Sequence, residues 1–195
     1  MALSTALSDL FLALSSFHSM YTVNRASSTA QVAFLIIGCA ASLGTLKFGL
    51  EAPGPHITRA HRTFSWLATV LGMSLLSAAY CQKINQTRIG HVFIAFSIAL
   101  ISLQTLFAPH LLEVLSEVIS SLAVVTILIT CFVDFNSHGI LGSAGYIIAG
   151  LAIGTQGTYR GIPAVDLFHY VLFLSNIALA LGLSKQPTLY FYKKS

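Results

Sequence analysis

The chain has 195 residues, 55% of them hydrophobic and only 8% charged, with ten Lys and Arg against six Asp and Glu. An ordinary soluble domain carries about 25% charged residues and needs polar side chains to cover its surface, so this composition excludes a water-soluble fold and makes lipid the fitting solvent. The net charge of +4 is spread along the chain instead of gathered on one face, which argues against a nucleic-acid partner.

A helix needs about 20 predominantly apolar residues to cross a hydrocarbon core about 30 Å thick. The first stretch of this kind, residues 3–22, is rich in serine and interrupted by Asp9. Ser4, Ser8, Ser15, Ser19 and Thr22 align on it at helical spacing, with His18 at the edge. No basic residue precedes Arg25, so the charged start of a cleavable leader is missing and the stretch is expected to be retained. The second span is expected over 29–50. Glu51 to Arg62, with Pro53, Gly54 and Pro55, reads as a loop with one interfacial turn. There His56 and His61 bracket Arg59, beside Arg62; anchoring at lipid headgroups is preferred to metal binding.

Further spans are expected over 63–82, 89–107, 111–133, 139–158 and 163–184. His91, Ala95, Ser102 and Thr105 align on the fourth, which Pro109 closes. Glu113 and Glu117 open the fifth one turn apart, where carboxylates suit the positive end of the helix dipole. The sixth is glycine-rich, with Gly139, Gly142 and Gly145 followed by Gly150 and Gly154 in a GxxxG arrangement. Small residues of this kind let membrane helices approach closely, within the chain or toward a partner helix. Gly161 and Pro163 mark the break before the last span. The expected fold is therefore all-α, a polytopic membrane bundle of six to seven transmembrane helices with short loops, forming one domain over residues 1–195.

Cys39, Cys81 and Cys131 are odd in number and lie in or at the ends of apolar stretches, which speaks against a disulfide framework. With seven spans and the N-terminus outside, Arg25, Lys83, Arg88, Lys185, Lys193 and Lys194 fall on the cytoplasmic side, against Lys47, Arg59, Arg62 and Arg160 opposite. The sequon Asn85-Gln86-Thr87 would then lie in the cytoplasm, unused. The tail Phe191-Tyr192-Lys193-Lys194-Ser195 is no prenylation box; it resembles a dilysine retrieval signal displaced by one position. The endoplasmic reticulum or another endomembrane is expected in preference to the plasma membrane.

Ionisable groups at membrane depth are costly and mark candidate sites. On the last span Asp166, His169, Phe173, Asn176 and Ala180 share a sector about 80° wide. An acid and an imidazole one turn apart can bind a metal, orient a base or relay protons; the structural alternative is a buried polar pair that fixes helix register. Asp166-Leu167-Phe168-His169 resembles the Gln-Leu-Phe-His stretch in the last helix of the seven-helix superfamily of progestin and adipoQ receptors and alkaline ceramidases. That resemblance implies a zinc-dependent lipid amidase or a relative of one. It places His169 at the second of two zinc histidines, while the first falls on Val165. The superfamily's early serine and histidine pair is not visible here.

Three functions follow as expectations. A non-enzymatic carrier, transporter or membrane scaffold is preferred, because no complete catalytic constellation is present. The alternative is an intramembrane, metal-dependent lipid hydrolase with Asp166 and His169 as catalytic candidates. Zinc would be its cofactor, with His18, Asp166 and His169 as candidate ligands and His91 or Glu117 contributed from neighbouring helices. The third is a polar pathway between spans one, four and seven involving the serine stripe, His91, Glu117, Asp166 and Asn176. Membrane lipids and helices docking at Gly150 and Gly154 are the expected partners.

Overall fold

The computed structural model describes residues 2–185. The tail lysines Lys193 and Lys194 lie outside the described residues.

Among the described residues the chain forms seven helical rods joined by short turns: α1 (Ala2–Thr22), α2 (Ser28–Gly49), α3 (Pro55–Lys83), α4 (Thr87–Ser102), α5 (Pro109–Val133), α6 (Ser137–Ile153) and α7 (Ala164–Ser184). Local chemistry sets the boundaries. The Ala30 amide donates to the Ser27 hydroxyl at 3.2 Å and caps α2, and the Gly139 amide donates to the Asn136 side chain at 3.1 Å and caps α6. Pro55 and Pro109 open α3 and α5, where a missing amide hydrogen costs nothing. Asn85 and Phe135 adopt positive φ in the tight turns after α3 and α5. A two-residue hairpin, β1 (Thr158–Tyr159) with β2 (Ile162–Pro163), leads into α7.

Three expected boundaries move. Residues 55–62 are helical, so α3 begins two turns before the apolar stretch; no residue of Pro55–Leu67 is buried, which leaves the polar start of this rod at the periphery. Span four ends at Ser102, followed by a 3-10 turn over Gln104–Leu106, and Pro109 serves as the first turn of α5. Span six ends at Ile153, because Gly154 takes φ +67.

The rods enclose the second half of α3. Every residue from Met73 to Cys81 is buried, and α3 touches α2, α4, α5 and α7. Phe34, Ile37, Leu76, Tyr80, Ile127 and Leu179 form the main core. α1 packs against α2 and α7, and α7 also against α6. Glycines set the closest approaches: a Cβ at Gly182 would stand 2.8 Å from the Gly139 amide nitrogen, and one at Gly142 would stand 2.7 Å from Leu179 Cγ. The Gly139, Gly142 and Gly145 seam therefore joins α6 to its neighbours. Gly150 and Gly154 have nothing within 4 Å.

The seam expected on the fourth span faces outward. His91, Ala95, Ser102 and Thr105 are exposed, whereas Gly90, Ser97 and Leu100 face inward. α4 is rotated because Gly90 sits against Ala78 and Ser97 Oγ lies 2.7 Å from Ser74 Oγ and 3.0 Å from the Val70 carbonyl. Val70 belongs to a π-helical segment of α3, Ala68–Gly72.

Four rods, α2, α3, α5 and α7, are long and apolar enough to cross a membrane; α4 and α6 are apolar but shorter. α1 divides its two faces. Ser8, Ser15, Ser16 and Ser19 are buried, while Leu3, Leu7, Leu10, Leu14 and Phe17 are exposed. Apart from Ser4 and His18, which are exposed, its polar residues turn inward and its outward surface is largely apolar.

Candidate functional site

α1 and α7 meet near the end of the bundle where α1 and α7 begin. Ser8 and Asp9 are neighbours on α1, about 100° apart around the axis. The Asp9 carboxylate lodges against α2 at Gly44, where an added Cβ would stand 2.5 Å from Oδ2. Only glycine leaves room for that carboxylate. From α7, Asp166 in the first turn and His169 one turn later face the same seam.

Ser8 Oγ lies 3.1 Å from His169 Nδ1, 3.4 Å from Asp166 Oδ1 and 3.0 Å from the Thr5 carbonyl. Asp9 Oδ1 lies 3.5 Å from the same Nδ1. The residues are withdrawn from the surface: Asp9 and Asp166 are each 2% exposed and Ser8 is fully buried. Asp9 Oδ2 and Asp166 Oδ2 are buried with no hydrogen-bond partner. Leaving a buried charged oxygen unpaired is expensive, and here two such oxygens belong to one cluster.

A cation approaches from α2 and a neutral imidazole from α3. Lys47 follows Gly44 by three residues on the same face of α2, and its charge acts on the Asp9 carboxylate. Lys47 Nζ also lies 3.4 Å from His61 Nδ1, and Ser65 Oγ lies 3.4 Å from His61 Nε2. A lysine can only donate, so Nδ1 of His61 accepts and Nε2 carries the hydrogen toward Ser65. Phe48 supports the pair, 4.6 Å from Nζ and 5.7 Å from the His61 ring.

The sequence candidates divide. Asp166 and His169 stand in this cluster. His18, His91 and Glu117 are exposed and take no part in it. α5 begins at Pro109, so Glu113 and Glu117 lie beyond its first turn, where the dipole effect has faded. Asn176 is fully buried two turns below His169 in a separate link: its Nδ2 donates to Ser16 Oγ at 3.0 Å, and the Tyr146 hydroxyl donates to its Oδ1 at 2.6 Å.

Ser8 was expected beside Asp166 as part of the serine stripe of a polar pathway, whereas Asp9, Lys47 and His61 were not singled out by sequence reasoning as members of that site. Asp9 carried the missing signal, since an acid inside an apolar stretch should have a partner.

Zinc fits this donor set poorly. Among the described residues no three His, Cys, Asp or Glu side chains are placed to hold a metal ion, and Val165 stands where the superfamily's other histidine would be. The arrangement also differs from a Ser-His-Asp triad, in which serine and acid engage opposite ring nitrogens. Here both face Nδ1.

No solved structure matches the chain. Human transmembrane protein 276 is 29% identical to it over 184 residues, covering 94% of this chain and 93% of that protein. With the apolar rods, that similarity makes this a transmembrane protein. The model of a family of unknown function, DUF6962, matches residues 4–188, a range that takes in the whole cluster from Ser8 to His169, and the chain belongs to that family.

Proposed function

We propose that this is a multi-pass, non-enzymatic membrane protein that acts as a carrier or transporter, with the Asp9, Asp166, His169 and Ser8 cluster as its working centre. All seven rods are read as spans, α1 included, because most of its polar residues are buried in the bundle and its outward surface, apart from Ser4 and His18, is largely apolar. The shorter α4 and α6 are accommodated by local thinning of the bilayer. The end bearing Arg25, Lys83, Arg88 and Lys185 is assigned to the cytoplasm, which leaves the acid cluster nearer the opposite leaflet. An endomembrane is retained as the location, and Gly150 with Gly154 as the face open to a partner helix.

The observation that carries the reading is the pair of buried carboxylates on α1 and α7, each with an unpartnered oxygen, next to an imidazole. Such a group suits a proton or small cation that exchanges as α1 shifts against α7. The test is proton flux into proteoliposomes under an imposed potassium diffusion potential, followed with a trapped pH dye. Flux above protein-free vesicles, abolished in Asp9→Asn and Asp166→Asn, is expected. Equal flux with and without protein would refute the transport role.

The second reading, an intramembrane lipid hydrolase, draws on the 3.1 Å approach of Ser8 Oγ to His169. It requires turnover of a lipid amide or ester that disappears in Ser8→Ala, and about one bound zinc per chain if it follows the ceramidase pattern.

A further inference from the structure

The opposite end of the bundle carries a second polar feature. A cleft of about 540 Å³ opens where α1 and α7 end and α2 begins. Arg25, Lys83, Lys185, Ser27, Gln82 and Thr22 are among the residues that line it, and among the described residues no acidic one does. The amino end of α2 adds the positive end of its dipole, which favours anions.

The three cations are held differently. Lys83 is nearly buried, its side chain 8% exposed, and its Nζ is committed to Asp134 at 3.2 Å and to the Gly182 carbonyl at 2.7 Å. Lys185 is exposed, with Nζ 3.2 Å from His138 Nδ1, and forms no ion pair among the described residues. Arg25 is exposed and forms no ion pair among the described residues. Two free positive charges and one anchored charge thus surround a space within the ordinary range for small-molecule sites, roughly 300–1,000 Å³. Bare phosphate would leave most of it empty. A phosphorylated polyol would occupy more of it and present its phosphate to Arg25 and Lys185, the arginine offering a bidentate fork.

We propose that this cleft binds a phosphate monoester carried on a polyol, as in the headgroup of a phosphorylated inositol lipid. The cleft's position at the end of the rods, and the assignment of that end to the cytoplasm, place it at the depth where anionic headgroups lie. The proposal does not depend on the transport reading, since it uses none of the same residues.

The experiment uses the full chain in nanodiscs of phosphatidylcholine with 5% phosphatidylinositol 4-phosphate, and native mass spectrometry to count retained lipid. Retention above that of phosphatidylinositol is expected. The Arg25→Ala, Lys185→Ala double variant should lose about thirtyfold in retention, the scale of two headgroup-facing charges. Arg25→Lys should keep part of it. Arg59→Ala with Arg62→Ala, at the other end, should change nothing. Competition by soluble inositol phosphate that displaces the lipid would support the anion site and assign it to a soluble ligand. No preference over phosphatidylinositol, or equal loss in the Arg59 and Arg62 variant, would overturn the proposal.

Discussion

At the end of the bundle where α3 finishes, Lys83 and Asp134 form a buried ion pair of 3.2 Å, and Lys83 also donates to the Gly182 carbonyl at 2.7 Å. Asn136 Nδ2 reaches the same carbonyl at 2.8 Å, and the Tyr80 hydroxyl donates to the Leu179 carbonyl at 2.8 Å. These contacts tie α3, α5 and α6 to the last turns of α7. At the other end Asp9 and Asp166 are as deeply buried, yet each leaves one oxygen without a partner. Buried polar groups that are satisfied specify packing, whereas unsatisfied ones hold free energy that another species can release by binding. The first cluster thus has the pairing of a structural tie, and the unpaired oxygens of the second are what motivates the exchange role proposed for it.

Substitutions can break this contrast. The largest effect is expected for Lys83→Ala, which breaks the buried ion pair with Asp134 and should cost about 3 kcal/mol, read as a fall in thermal unfolding temperature in mild detergent. Unchanged stability there would mean that the pair is solvated and that the two ends do not differ. Gly182→Ala comes next, at about 2 kcal/mol, because its Cβ would meet the Gly139 amide nitrogen and the Tyr80 hydroxyl with backbone on one side. Tyr146→Phe removes one hydrogen bond to Asn176 and should cost about 0.6–1 kcal/mol in the same melt.

Asp9→Asn and Asp166→Asn should sharpen the comparison from the other side. Each removes a buried carboxylate that is incompletely paired, so the unfolding temperature should hold or rise while proton flux disappears. A fall comparable to that of Lys83→Ala would reclassify the acid cluster as structural. His91→Ala should be smallest, under about 0.5 kcal/mol, since the side chain is exposed; loss of flux in that variant would revive a pathway through α4.

Composition and apolar run length were enough to determine a membrane-embedded, all-α chain and to place every rod to within a few residues at most ends. They work because each helix must satisfy its own backbone in lipid, which makes the signal local. The start of α3 escaped because Pro55–Leu67 lies at the periphery with no buried residue, and a polar segment reads as loop whether or not it is wound.

Sequence periodicity also placed Asp166 and His169 on one face of α7, since that relation lies within a single helix. It could not decide which way that face or any other turns. α4 shows the difficulty: its polar row of His91, Ser102 and Thr105 looked like an interior seam, but the close approach of Gly90 to Ala78 turned it outward. The cluster itself joins Ser8 to His169 across 161 residues, and Asp9 reaches it only because Gly44 of α2 leaves space. Those are decisions of rotation and proximity between helices. Tertiary packing alone makes them, since no local pattern in an apolar helix records which neighbour it will meet.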